Sequence, residues 1–190
     1  MNNFYLSLLH EDMHDKQGKI VTTSLTMIDL HDIARSCRTY NVNTTFIAHP
    51  SLALQKLARI LKSHWETGFG STYNIHRKEA LGKVEIVNNL DQAITIIDSK
   101  TNKIPKIITT SALSDDFDNR IKFKDLKEKI HTDSDQPYLM LLGTGYGMSK
   151  KILDRADYFL EPVLGANKDY NHLSVRSAAA IMLDKLLGVN

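Results

Sequence analysis

Six short apolar runs, separated by segments of helical period, constrain this chain more than any other feature. Residues 4–9, 44–48, 84–87, 106–110, 138–142 and 158–160 read as strands. Residues 26–40, a stretch opening at Pro50 or Ser51, and residues 90–97, 123–130, 148–153 and 173–187 read as helices. Strands that alternate with helices pair in parallel, because each crossover returns the chain to the same sheet edge. The expected fold is therefore α/β: a mainly parallel six-stranded sheet with helices on both faces. Residues 10–18 are polar and read as a loop. Residues 63–83, with Gly68, Gly70 and Gly82, read as a long irregular connection of the kind that often carries function.

Size and composition narrow the function classes. A chain of 190 residues with 42% hydrophobic residues has enough apolar material for one core, so residues 1–190 are expected to form a single domain. Mean hydropathy of −0.27 and the lack of a long apolar run give no expectation of a membrane span. The start Met1-Asn2-Asn3-Phe4 lacks the basic region of a signal peptide. Cys37 is the only cysteine, so no intrachain disulfide forms, which fits a reducing cytoplasm. A net charge of +2 does not demand a nucleic-acid partner, although a local patch can serve one.

Chemistry concentrates late in the chain. Leu141-Leu142-Gly143-Thr144-Gly145-Tyr146-Gly147 follows the fifth predicted strand, and Leu160-Glu161-Pro162 follows the sixth. Ligands of α/β proteins bind at the C-terminal ends of strands. Alternate glycines let backbone approach a ligand closely. Two such loops point to a nucleotide-like cofactor held by backbone groups. The usual phosphate signatures do not fit. A P-loop needs Lys and Ser or Thr directly after its last glycine, where Met148 stands. A dinucleotide fingerprint belongs after an early strand. A plain strand-to-helix turn is the competing reading of the glycines.

Other motifs have equally plain alternatives. His10-Glu11-Asp12-Met13-His14 matches the H-E-x-x-H zinc pattern, which would make the chain a hydrolase. That chemistry requires both histidines on one face of a helix, and the motif lies at a strand end, so a solvated loop is expected. Asp32 and Arg35 stand at helical spacing and could pair on the surface. Arg35 could instead neutralise a phosphate or assist proton removal from a hydroxyl, with Asp29 at the ligand edge. Asn171 or Ser174 could cap the last helix. Arg176 lies in that helix's first turn, where the dipole disfavours a cation, so it needs an acid or a bound anion. Cys37 and Trp65 read as core and packing residues.

Taken together, these stretches resemble the SPOUT class of RNA methyltransferases, and more closely a small bacterial family related to tRNA guanine-N1 methyltransferases. The residues that carry the resemblance are Leu30-His31-Asp32-Ile33-Ala34-Arg35, His64-Trp65 with Gly68 and Gly70, Tyr73-Asn74, and Arg77-Lys78-Glu79-Ala80-Leu81. Thr110-Ser111-Ala112, Gly143-Thr144-Gly145-Tyr146-Gly147, Leu160-Glu161-Pro162 and the run from Tyr170 through Ala178 complete it. Asp29 stands where the first motif of the ribose-methylating branch has Asn, six residues before the matching Arg35. Leu113 replaces the Arg that usually follows Thr-Ser-Ala.

The resemblance implies a C-terminal trefoil knot, a homodimer and S-adenosylmethionine as cofactor, with S-adenosylhomocysteine as product. Thr110, Ser111, Ala112, Leu142, Gly143, Thr144, Gly145, Gly147, Leu160, Pro162, Tyr170, Asn171, His172 and Leu173 would then hold the cofactor. Arg35, Asn171, Ser174 and Arg176 are the candidate catalytic residues, and no metal is called for. The acceptor would be an RNA nucleotide in tRNA or rRNA, at a base nitrogen or a ribose hydroxyl. Two alternatives stand beside it: a cofactor- and RNA-binding protein without catalysis, and methylation of a protein or small molecule.

Overall fold

The computed structural model describes residues 3–111, 119–167 and 169–189. Strands β1 (Phe4–Leu9), β4 (Thr45–Ala48), β5 (Val84–Val87), β6 (Lys106–Thr109), β8 (Tyr138–Leu142) and β9 (Tyr158–Leu160) follow the six apolar runs. They join a short edge strand, β7 (Arg120–Ile121), in a seven-stranded sheet ordered β5-β4-β1-β8-β6-β9-β7. Each of its pairings is parallel. The sheet therefore has one strand more than expected. β7 is two residues long and begins with an arginine, so it leaves no apolar run to read.

Helices cover both faces, as the alternation predicts. On one face α1 (Met27–Thr39), α2 (Leu52–Glu66), α4 (Ile75–Gly82), α6 (Phe123–Thr132) and α8 (Val175–Leu187) pack Leu30, Ala58, Leu81, Leu126 and Leu183 against Phe4, Leu6 and Leu8 of β1. On the other, α5 (Leu90–Thr101) and α7 (Lys150–Leu153) pack Ile97 and Ile152 against Tyr5 and Leu9. β1 thus divides its alternate side chains between two cores, which is why its run is apolar on both faces apart from Ser7. Cys37 and Trp65 belong to the first core, as expected. Burial pushes the Cys37 thiol up to about 12. Thr26 caps α1 by accepting from the Asp29 amide, a contact worth about 1 kcal/mol.

Two regions differ from expectation. Residues 10–18 are not a solvated loop: Met13 is fully buried, and β2 (Met13–His14) pairs antiparallel with β3 (Ile20–Val21). Asp15 shapes the hairpin turn by accepting from the amides of Gln17 and Lys19. Residues 63–83 are largely helical rather than irregular. α2 runs on to Glu66, a short α3 (Gly70–Tyr73) follows, and Asn74 caps α4 through the Arg77 amide at 3.0 Å.

The late strands enter between earlier ones. β8 lies between β1 and β6, and β9 lies between β6 and β7. β8, β6 and β9 are therefore neighbours whose C-terminal ends open on the same edge. The connection from Glu161 then leads to α8, which packs on α1.

Candidate functional site

Three segments meet at that edge: residues 110–111 after β6, 143–147 after β8 and 161–174 after β9. Thr110 and Leu142 sit beside each other because β6 and β8 pair with Thr109 opposite Leu141. The Thr110 hydroxyl donates to the Leu141 carbonyl at 2.9 Å, tying the first two segments together. Ala112 and Leu113 lie outside the described residues.

The β8 turn is braced from outside. Tyr146 donates its amide to the His14 carbonyl at 3.0 Å, and the His14 amide donates back to Gly147 at 2.8 Å. The Thr144 hydroxyl donates to Leu9 at 2.9 Å and sits in very close contact with the Thr23 hydroxyl. Gly145 has φ of +64°, and a Cβ there would stand 2.9 Å from the His14 carbonyl. A Cβ at Gly143 would stand 2.8 Å from Met148 Cγ. Part of the glycine pattern therefore serves the turn itself, as the plainer reading had it, by seating the turn on the β2–β3 hairpin.

The segment after β9 is held differently. Leu160 is buried, Pro162 is half-buried, and Tyr170, His172 and Leu173 are exposed. Among the described residues, no backbone–backbone hydrogen bond uses residues 162–173. Tyr170 and His172 meet edge to face, 5.1 Å between ring centres. Apart from the Asp169 amide, which donates to the Asn167 side chain at 2.9 Å, this partly exposed backbone has the character of a segment that can bond a ligand.

α8 begins where this segment ends. Ser174 is its N-cap, accepting from the Ser177 amide, so the capping reading of Ser174 holds. Asn171 is half-buried three residues earlier. Arg176 finds its counterions on α1: Nη1 lies 2.9 Å from Asp29 and Nε 3.6 Å from Asp32. The partner it requires is thus an acid. The pair is partly shielded, with side chains 36% and 15% exposed for Arg176 and Asp29. The surface pairing of Asp32 with Arg35 does not form. Asp32 turns to Arg176, and among the described residues Arg35 makes no ion pair.

Arg35 instead lines a basin of about 340 Å³ with Met27, Ile28, His31, Asp32 and Arg77. Burial and the Arg77 guanidinium hold the His31 imidazole below its ordinary range. Arg35 and Arg176 therefore share one seam, with Asp32 between them. The spacing within α1 suggested the Asp32–Arg35 surface pair first, and the structure instead turns Asp32 to Arg176 and leaves Arg35 lining the basin. Arg77, 42 residues beyond Arg35 in the sequence, carried no signal for its place in the basin.

His10 and His14 do not form a metal pair on a helix. His10 directly follows β1, buried, with Nδ1 3.1 Å from the Ala48 carbonyl and its ring 5.1 Å from His49. His14 lies in the hairpin with Nδ1 2.9 Å from the Gly18 carbonyl. Among the described residues, no three His, Cys, Asp or Glu side chains cluster as a metal site. Burial brings the His10 imidazole down to about 4, with neighbouring His49 acting in the same direction and Asp29 opposing it. His10 is therefore neutral at pH 7.

Residues 3–188 match the family described as SAM-dependent RNA methyltransferase. An uncharacterized protein of Aquifex aeolicus is 37% identical over 188 residues, covering 99% of this chain and 90% of that one. A protein of Nitratidesulfovibrio vulgaris named tRNA (guanine-N(1)-)-methyltransferase is 36% identical, covering 98% of this chain. The chain spans only 42% of that relative's length. Among solved structures, the TrmH/SpoU tRNA modifying enzyme of A. aeolicus superposes with a TM-score of 0.55 at 14% identity, covering 98% of this chain and 75% of that one, a likeness of fold. With the family matched over nearly the whole chain, the protein belongs to the SAM-dependent RNA methyltransferases, and its α/β fold is like that of the TrmH/SpoU enzyme.

Proposed function

We propose that this chain transfers the methyl group of S-adenosylmethionine to a nucleotide of tRNA or rRNA, with the cofactor among the segments after β6, β8 and β9. The observation that supports the placement is the backbone of residues 162–173, which follows a strand at the same sheet edge as the braced turn and makes no backbone–backbone hydrogen bond among the described residues. Backbone of Leu142, Gly143, Leu160, Pro162 and Leu173 would hold the adenosine and the amino-acid tail. Thr110, Ser111, Ala112, Thr144, Gly145, Gly147, Tyr170, Asn171 and His172 would complete the enclosure. When bound, the cofactor supplies an electrophilic methyl carbon, and the protein supplies orientation and proton handling.

Arg35, which makes no ion pair among the described residues, would orient the acceptor or its phosphate. Its guanidinium stays protonated at any working pH, so orientation suits it better than proton abstraction. Asp29 and Arg176 would fix the start of α8, and with it Asn171 and Ser174, against α1. The insertion of β8 and β9 between earlier strands supports a C-terminal trefoil knot. Exposed Ile28, Leu164 and Leu173 support a homodimer that covers this end of the molecule. One domain over residues 1–190, working in the cytoplasm, is consistent with this reading. The guanine-N1 name belongs to relatives more than twice as long, so the acceptor atom is a matter for product analysis.

The test is calorimetric titration with S-adenosylhomocysteine, on wild type and on Gly145→Trp. Saturable binding that the tryptophan removes is the expected result. No binding to folded wild type would sink the placement. Radiolabelled methyl transfer to total RNA from a strain lacking the protein then separates catalysis from binding alone, and label in protein instead of RNA would redirect the substrate.

A further inference from the structure

Positive charge is concentrated in one segment. Residues 52–83, which form α2 to α4 and the residue after them, hold six of the chain's 24 Lys and Arg but two of its 22 acids. The remaining residues carry 18 cations against 20 acids, so the α2–α4 segment is basic on an otherwise slightly acidic chain. Both acids are already paired, Glu66 with Lys62 and Glu79 with Arg38 of α1. Among the described residues, Lys56, Arg77, Lys78 and Lys83 make no ion pair.

Aromatic rings stand among these cations. Phe69 and Tyr73 are each 75% exposed and lie nearly parallel, 6.1 Å between centres and 22° between planes. Phe69 precedes α3 and Tyr73 ends it, and the start of that helix rests on Trp65: a Cβ at Gly70 would meet the indole at 2.5 Å, so only glycine permits the approach. Arg77 lies over the same indole at 4.4 Å, and His31 meets its edge at 5.7 Å. Trp65 thus connects the exposed rings to Arg77 and His31, which also line the basin beside Arg35.

We propose that the α2–α4 face docks unpaired loop nucleotides of the RNA substrate, with bases stacking on Phe69 and Tyr73 and phosphates contacted by Arg77 and Lys78. The proposal rests on the RNA methyltransferase reading and says where the substrate lies. Exposed rings among unpaired cations are what a flexible polyanion with flat bases requires. A second copy of the chain fits less well, because a two-fold contact would set this basic face against itself.

The test is fluorescence anisotropy of the full chain with fluorescein-labelled bulk bacterial tRNA, for wild type, Phe69→Ala/Tyr73→Ala and Lys78→Gln. Calorimetry with S-adenosylhomocysteine and light-scattering mass accompany each variant. The double variant should lose about tenfold in tRNA affinity per ring. Lys78→Gln should reduce the slope of log affinity against log salt by about 1. Both should keep wild-type affinity for S-adenosylhomocysteine. Wild-type tRNA affinity in the double variant, with cofactor binding intact, overturns the proposal alone. A halved mass at unchanged tRNA affinity also overturns it and assigns the face to a second copy. Failure of wild type to bind S-adenosylhomocysteine and tRNA would remove the methyltransferase reading and this proposal together.

Discussion

The two long segments at the candidate cofactor edge are built on opposite principles. The β8 turn, residues 143–147, exchanges backbone hydrogen bonds with His14, and its Thr144 hydroxyl binds Leu9. The β9 segment, residues 162–173, has no backbone–backbone bond among the described residues. One is a braced wall whose glycines are occupied by its own geometry, and the other is a strap whose backbone makes no such bonds. In the proposed site, a preformed wall would limit the conformational entropy lost on binding, while backbone groups on the strap would supply the new hydrogen bonds. Glycine density alone would have ranked the two the other way.

The brace should break most completely at His10, whose carbonyl accepts from Thr23 and so holds the hairpin to the end of β1. Its imidazole is depressed from 6.5 to about 4, chiefly by burial. The unfolded chain therefore binds more protons than the folded one between those values, and stability falls as pH falls through that window. The full contribution is about 3 kcal/mol. Urea denaturation from pH 7 to pH 4 should show the loss. His10→Asn, which keeps a donor for Ala48 but does not titrate, should flatten it; an equal slope in both proteins would remove His10 as the cause.

Next in size is Gly145→Ala. It forces a side chain into φ of +64° and toward the His14 carbonyl, which should cost about 2 kcal/mol. A midpoint in urea equal to wild type would mean that the hairpin moves freely and that the wall is no more rigid than the strap.

The contrast between wall and strap also marks what could be read from the chain. β1, β4 and β8 are buried on both faces, so their runs are continuous and plain. The glycines of the turn were visible, but their partner was not, since β2 and β3 are two residues each and too short for any periodicity. The same limit hid β7. α3 and α4 escaped because Gly70-Ser71-Thr72-Tyr73 has no apolar stripe and its order comes from packing on Trp65. At the site, the first-turn position of Arg176 demanded a counterion on local grounds. Which acid answers, Asp29 at a separation of 147 residues, depends on how α1 and α8 cross and has no local signal.

That ion pair gives the third effect. Arg176→Ala should cost about 1 kcal/mol, since a partly exposed pair is screened by solvent. A double-mutant cycle with Asp29→Asn, followed by urea denaturation, should recover most of that cost as coupling energy. Additive effects would mean that the strap's end is fixed by the Ser174 cap alone.

The smallest effect on stability is the most discriminating. Gly165 lies in the strap with open space where a Cβ would stand, and its φ is not positive. Gly165→Ala should therefore change stability by less than about 0.5 kcal/mol, against about 2 for the same substitution at Gly145. If the strap closes on the cofactor, alanine at this position narrows the backbone conformations it can adopt, and S-adenosylhomocysteine affinity should shift even though the urea midpoint does not. Gly145→Ala should do the reverse, lowering the midpoint more than it alters affinity in the fraction that stays folded. Two glycines that exchange these signatures would show that the turn moves and the strap stands still.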